Sequence, residues 1–432
     1  MADLSNYVPG GSHTYSRGRD QFPDNCPKLI NYAKECYVYD INNNKYIDFN
    51  MGLRCNILGY NNDIINNSAI EEIKKGNGFV LPSYSEYELA KKICELLEYD
   101  MVKFAKNGSN VNTAAVKLAR AFTGKKYILR CKNNPFLSFD DWFIGDTCIK
   151  KGTLNEINKF TINFEYNNIE ELEQIVKENN DISCIILEPC TVEIPKIYSD
   201  GLNFLQKIRQ ICDDNNIVFI LDEVITGFRY HLKGAQYIFN VKPHLSTFGK
   251  ACANGFSFAF LVGKREIMNL GGINNQGQER VFLLSSTFGA EMSSIGAASK
   301  TIDFIFENDV ISQIWNNGKY LITFFNNIAK SLNIDKYIYM YGFDCSPYLE
   351  TKNNQLKSCL IYRTLFLEKL MEKNIIMNCI TISIYHTPEL IDSLYTSFKY
   401  SLEIYKKAID YNNPYQFLKS TNIIKPVFRQ YN

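Results

Sequence analysis

Histidine is scarce, with 4 among 432 residues, and none of the 13 cysteines sits in a C-x-x-C pair. That argues against a zinc site built at the usual short Cys and His spacings, and no metal is expected. The scattered cysteines read as reduced, mainly buried thiols. No apolar run reaches the length of a membrane span, and Met1-Ala2-Asp3-Leu4-Ser5 lacks a basic and apolar leader. A cytoplasmic protein without a membrane partner is the expectation. Charge of one sign is missing too: Lys+Arg at 47 against Asp+Glu at 46 leaves a formal net charge of +1. No long-range field recruits nucleic acid. Repeats, heptads and low-complexity linkers are absent, and no G-x-G-x-x-G follows a first strand, which argues against a Rossmann dehydrogenase.

What remains is a chain long enough to bury a large core, 46% hydrophobic and 22% charged, and to divide into more than one domain. The first seventy or so residues read as strands and turns, with a hairpin of Cys36–Asp40 and Lys45–Phe49 around the Asn-rich turn Ile41–Asn44. From about residue 71 helical periodicity alternates with apolar runs, as in a doubly wound sheet. An amphipathic helix is expected over Tyr84–Leu97, then a strand over Val102–Ala105, a helix from about Val111 to Phe122, and strands over Ile128–Cys131, Cys184–Leu187 and Ile217–Leu221. A long helix from Met292 to Asn308, a helix through Ser358–Met371 and a strand over Thr381–His386 complete the pattern.

Three stretches carry chemistry. Asp222 follows the apolar run Ile217–Leu221, which places a carboxylate at a strand's C-terminal end, where ligands of open α/β sheets gather. Lys250 stands between small residues in Ser246-Thr247-Phe248-Gly249-Lys250-Ala251-Cys252-Ala253, after another apolar run, where a lysine can form a Schiff base. Asn107-Gly108-Ser109-Asn110 is a small-residue turn opening a helix, whose backbone N–H groups and dipole suit a phosphate. Each alone has an ordinary reading: a solvated loop lysine, a satisfied acid, plain turn chemistry. Arg17, in the loop after Pro9-Gly10-Gly11, and Arg54, after the hairpin, are candidate carboxylate ligands because a guanidinium fork binds carboxylates bidentately. The ordinary reading of Arg17 is a solvated loop arginine, with Arg19 close by, and Arg54 is the second candidate.

In the order and spacing of these stretches the chain resembles the class III aminotransferases of fold type I, and within them the glutamate-1-semialdehyde aminomutase subgroup and its glycan-cluster relatives. The resemblance implies an α/β fold with a large, doubly wound, mainly parallel sheet domain over residues 71–330. A small α+β domain would come from both ends, residues 1–70 and 331–432. It implies pyridoxal 5'-phosphate as cofactor, with Lys250 as the Schiff-base lysine and Asp222 facing the pyridine nitrogen. Gly108 and Ser109 would form the phosphate cup, Phe136 and Val224 would cover the two ring faces, and Arg17 would hold the substrate carboxylate. Thr287 would reach the phosphate of a second protomer, so the expected assembly is a homodimer with shared active sites. The partners implied are a small-molecule amino donor and a carbonyl acceptor.

This sequence departs from the aminomutase pattern at three places. Asn110 stands where an acid follows the phosphate-loop pair, Leu137 stands where many relatives have histidine, and the segment Ile144–Lys159 is short for a lid. These departures favour an aminotransferase moving an amino group from an amino acid, with glutamate as candidate donor, to a carbonyl that relatives suggest is sugar-derived. The aminomutase reaction and a non-catalytic binding subunit are the alternatives.

Overall fold

The computed structural model describes residues 3–274 and 276–431. Met1 and Ala2, read above for a leader, lie outside the described residues, as do Asn275 and Asn432. The chain forms two compact units: Met1–Asn62 with Asp309–Arg429, and Asp63–Asn308 with Gln430–Asn432.

In the first unit β1 (Ile30–Lys34), β2 (Tyr37–Asp40) and β3 (Lys45–Asp48) form an antiparallel meander. Its second turn closes because the Asp40 carboxylate accepts the N–H groups of Asn42 and Asn44 at 2.8 and 2.9 Å, while Asn43 takes the left-handed conformation that Asn tolerates.

The second unit begins with α1 (Asp63–Lys74) and α2 (Tyr84–Leu97), the latter started by a capping box between Ser83 and Glu86. Next come β4 (Met101–Ala105), α3 (Gly108–Thr123), β5 (Tyr127–Cys131), β6 (Thr161–Phe164), α4 (Ile169–Glu178), β7 (Ile182–Leu187) and α5 (Phe204–Asp214). They are followed by β8 (Val218–Glu223), β9 (Leu245–Phe248), β10 (Ala259–Gly263) and α6 (Met292–Glu307). The seven strands lie in the order β4-β10-β9-β8-β7-β5-β6. Only β10 runs antiparallel to its neighbours. Every residue of β7, β8, β9 and β10 is buried. This is why β7, β8 and β10 read mainly as apolar runs rather than alternating ones, while β9 buries Ser246 and Thr247 as well. Phe204, Leu205 and Ile208 of α5 pack with Ile185, Leu187, Phe219 and Leu221 of the sheet in one core.

The remainder of the first unit is α7 (Val310–Ser331), the hairpin β11 (Ile338–Phe343) and β12 (Ser346–Thr351), α8 (Leu360–Met371), β13 (Ile375–Ile376) and α9 (Tyr395–Asp410). β13 pairs in parallel with β3, so the two ends of the chain share one sheet.

Three expectations change. The first seventy residues are not all strand and turn, because α1 already begins at Asp63. Thr381–His386 is not a strand: its N–H groups reach scattered acceptors, Thr381 to the Phe49 carbonyl at 2.8 Å and Ser383 to its own neighbour's ring at His386 Nδ1, 3.0 Å, which turns the chain out of a ladder. The units divide at Asn62 and Asn308 rather than at residues 70 and 330. The physical reason is that α1 packs against α6 within the second unit, whereas α7 packs against β11 and α9 within the first.

Candidate active site

In the second unit, three of the anticipated groups converge at the C-terminal end of the parallel strands. Asp222 is the penultimate residue of β8 and is buried. Its Oδ1 accepts the Val224 N–H at 2.9 Å and its Oδ2 accepts the Asn112 side-chain amide at 2.7 Å. Burial pushes the Asp222 carboxyl above its ordinary value, opposed by those two hydrogen bonds and by the nearby Lys250 charge. Lys250 lies three residues beyond Thr247, which pairs with Asp222 across β9 and β8. It opens a short 3₁₀ turn, Lys250–Ala253, directly after Gly249 and strand β9, and it is half-buried. Its backbone φ of +46° lies in the left-handed region. A non-glycine residue pays for that in backbone energy, a feature that collects at functional sites.

Helix α3 begins at Gly108. The Asn107 side chain caps it by accepting the Asn110 N–H at 3.0 Å, and helix geometry leaves the N–H groups of Gly108 and Ser109 without intrahelical acceptors. The buried Ser109 hydroxyl accepts the Phe139 N–H at 3.2 Å, which ties the helix start to the loop that carries Phe136. Glycine at 108 relieves a close approach: a Cβ there would lie 3.0 and 3.1 Å from the two methyls of Val224. The same isopropyl group would stand 3.3 Å from a Cβ added at Gly249. Val224 therefore sits between the helix start and the residue before Lys250. Phe136 is half exposed and meets Phe143 edge-on, with ring centroids 5.8 Å apart. Thr287 is exposed on a loop.

The two arginines belong to the first unit. Arg17 ends a 3₁₀ turn, Tyr15–Arg17, and is exposed; its charge acts on Tyr60, whose hydroxyl donates to Asp48 at 2.6 Å. Arg54 stands in an unusual place. Met51, Gly52, Leu53 and Arg54 all have positive φ, a left-handed turn closed by the Cys55 N–H on the Met51 carbonyl at 3.0 Å. Each non-glycine residue there costs about 1–2 kcal/mol. Arg54 Nε donates to Cys379 Sγ at 3.3 Å. Burial works against the Cys379 thiolate, yet the Arg54 charge and hydrogen bond hold the thiol below its ordinary value.

Two further residues support the end of β8 that carries Asp222. Asn112, on the inward face of α3 and almost wholly buried, is the partner of Asp222; a polar residue amid Val111, Ala115, Leu118 and Ala119 was the available signal. Glu223 accepts the N–H groups of Ala235 and Gln236 at 2.9 and 2.7 Å and is bonded by the Thr226 hydroxyl. It anchors the chain that follows β8. Among the described residues no group of three or more His, Cys, Asp or Glu is placed to hold a metal ion, and no helix is long and apolar enough to cross a membrane.

The family model for aminotransferase class-III matches residues 19–392. A glutamate-1-semialdehyde 2,1-aminomutase of Francisella philomiragia is 31% identical over 334 residues, 75% of this chain and 76% of that protein. One from Nitrosopumilus maritimus is 32% identical over 348 residues, 77% of this chain and 79% of that protein. Among solved structures, the internal aldimine form of the FumI protein from Sphingopyxis sp. MTA144 superposes with a TM-score of 0.84 at 20% identity, covering 96% of this chain and 97% of that one. A glutamate-1-semialdehyde aminomutase from Pseudomonas aeruginosa PAO1 gives 0.78 at 15% identity, with 92% of each chain covered. With the model match spanning most of its length, the chain belongs to the class III aminotransferase family.

Proposed function

We propose that this protein is a pyridoxal 5'-phosphate-dependent aminotransferase that moves an amino group from an amino acid, with glutamate as candidate donor, to a carbonyl acceptor, a sugar-derived carbonyl being one candidate class. The observation that carries the reading is the buried Asp222 carboxylate at the C-terminal end of β8, with Lys250 following the adjacent strand β9, beside a helix start where a side chain at 108 would crowd Val224. Those residues fit the cofactor. The N-terminus of α3 at Gly108 and Ser109 suits its phosphate, Asp222 its pyridine nitrogen, and Lys250 its aldehyde. Val224 is placed for one ring face and Phe136 offers an aromatic face for the other. When bound, pyridoxal phosphate supplies an electron sink for negative charge developing at the donor's Cα.

The chain's own groups do the remainder. Asp222 holds a proton on the pyridine nitrogen: opposite charges about 4 Å apart at an effective dielectric near 20 are worth ~4 kcal/mol, or about three pK units. The Lys250 amine would accept the Cα proton on Nζ and hold it there for return in the second half of the transfer. Arg17 or Arg54 holds a substrate carboxylate. Thr287 completes the phosphate site of a second copy, so the working unit is a homodimer. Its exposure on a loop supports this, as does the exposed apolar stretch Phe79, Val80 and Leu81.

The aminomutase reaction is the second reading, favoured by the relatives of that name at 31 and 32% identity. A mutase must retain its intermediate until the second half of the reaction is complete. The shortness of Ile144–Lys159 weighs the other way. One experiment separates them: the aminated enzyme is given glutamate-1-semialdehyde and, in parallel, a panel of carbonyl acceptors, and products are identified. A released aminated acceptor with spent donor supports the transferase. Stoichiometric 5-aminolevulinate with no free intermediate overturns it in favour of the mutase.

A further inference from the structure

Asn112 has partners on both ends of its amide that leave it one orientation. Nδ2 donates to the Leu137 carbonyl at 2.6 Å and to Asp222 Oδ2 at 2.7 Å, and Oδ1 accepts from the Thr247 hydroxyl at 2.6 Å. The Leu137 carbonyl and the Asp222 carboxylate only accept, whereas a threonine hydroxyl can donate. A flipped amide would set its oxygen against both acceptors. Thr247 and Asp222 are themselves register partners across β9 and β8. A single side chain on α3 thus joins the strand carrying the acid, the strand leading to Lys250 and the loop carrying Phe136.

From this geometry we infer that Asn112 is the positioning residue that orients Asp222 and keeps it ionised toward the pyridine nitrogen, an inference that rests on the cofactor reading above. Val224 N–H takes one carboxylate oxygen and Asn112 the other, so the carboxylate plane is set from both sides and a lone pair remains for the cofactor. A buried carboxyl would otherwise gain by taking up a proton, and a protonated Asp222 could not hold charge on the ring. An amide does not titrate, so its support is the same at every working pH. An ionisable side chain at 112 would make it pH-dependent.

The test uses the holoenzyme loaded with pyridoxal phosphate labelled with ¹⁵N at the ring nitrogen, with nuclear magnetic resonance reporting that nitrogen's protonation directly. Asn112→Leu, of similar volume, removes all three bonds. The inference expects its ring-nitrogen signal to move toward neutral pyridine and donor Cα deprotonation to slow by roughly tenfold to a hundredfold, the range for a buried hydrogen bond to a charged group. Donor KM should change little. A ring nitrogen and a deprotonation rate like the wild type's, even with a lowered melting temperature, would show a merely structural role and overturn it. Asn112→Asp keeps the shape and serves if the leucine variant does not fold. It should make the signal titrate across the working pH range where the wild type is flat, and a flat profile would overturn the inference. Asp222→Asn is the control for the underlying reading. A wild-type signal in that variant would overturn the cofactor placement and this inference together, whereas a shifted signal there beside unshifted Asn112 variants would overturn the inference alone.

Discussion

The strand ends of the second unit and the loops of the first hold their functional candidates in opposite ways. Asp222 is buried, bonded at both oxygens and fixed in a strand whose six residues are all inaccessible to solvent. Arg17 is exposed on a three-residue turn, and Arg54 rides on a left-handed turn latched by a cysteine thiol. Asp222, Gly108 and Ser109, assigned to the cofactor, sit on a buried strand and a helix start, whereas the arginines assigned to the substrate sit where the backbone is irregular. Perturbing the first set should therefore cost chemistry, and perturbing the second should mainly cost substrate affinity.

The largest effect expected among the variants is at Asp222. Asp222→Ala should slow Cα deprotonation of a donor amino acid by about a thousandfold, the rate equivalent of ~4 kcal/mol, while phosphate anchoring at Gly108 and Ser109 persists. Rapid-mixing absorbance measures it; an unchanged rate would break the division between the two regions. Next is Gly108→Ala, whose new methyl meets Val224 at 3.0 and 3.1 Å. Overpacking of this kind costs about 1–3 kcal/mol. The loss should appear in thermal stability and cofactor retention, and Val224→Ala in the same chain should restore most of it.

Arg17→Ala should be milder. An exposed ion pair is worth at most ~1 kcal/mol, so the donor's KM should rise by no more than about fivefold with kcat held. A collapse of kcat would place Arg17 among the chemical groups instead.

The smallest effect concerns Glu223, whose carboxyl burial pushes from 4.5 up to about 7, against the hydrogen bonds of Thr226, Gln236 and Ala235. A raised folded-state value means that its contribution to stability is full below 4.5 and is lost as pH rises through about 7. Glu223→Gln, which does not titrate, should be less stable throughout yet show a shallower decline of melting temperature over that window.

The same contrast governs what could be read from the residues alone. Ile217–Leu221 and Cys184–Leu187 announce themselves because strands buried on both faces leave apolar runs, and Tyr84–Leu97 does so through its amphipathic helical period. Asp222, Val224, Lys250 and the Gly108–Ser109 turn were legible because each punctuates such a run. The left-handed turn at Met51–Arg54 was not, since three of its four residues are types that avoid positive φ and only tertiary bonds hold them there. Thr381–His386 alternates like a strand but bends on the bonds of Ser383 with His386. Asn112 lacked a motif: its meaning lies in Leu137, Asp222 and Thr247, which are distant in sequence and adjacent only after folding.

The central claim is that Lys250 is the lysine that binds the cofactor. Reducing the pyridoxal phosphate-loaded protein with borohydride, digesting it and locating the fixed pyridoxyl group by mass spectrometry tests it most directly. The account predicts the label on the peptide bearing Lys250, with Lys250→Ala folded, inactive and unlabelled; a label on any other lysine of the wild-type protein would contradict it.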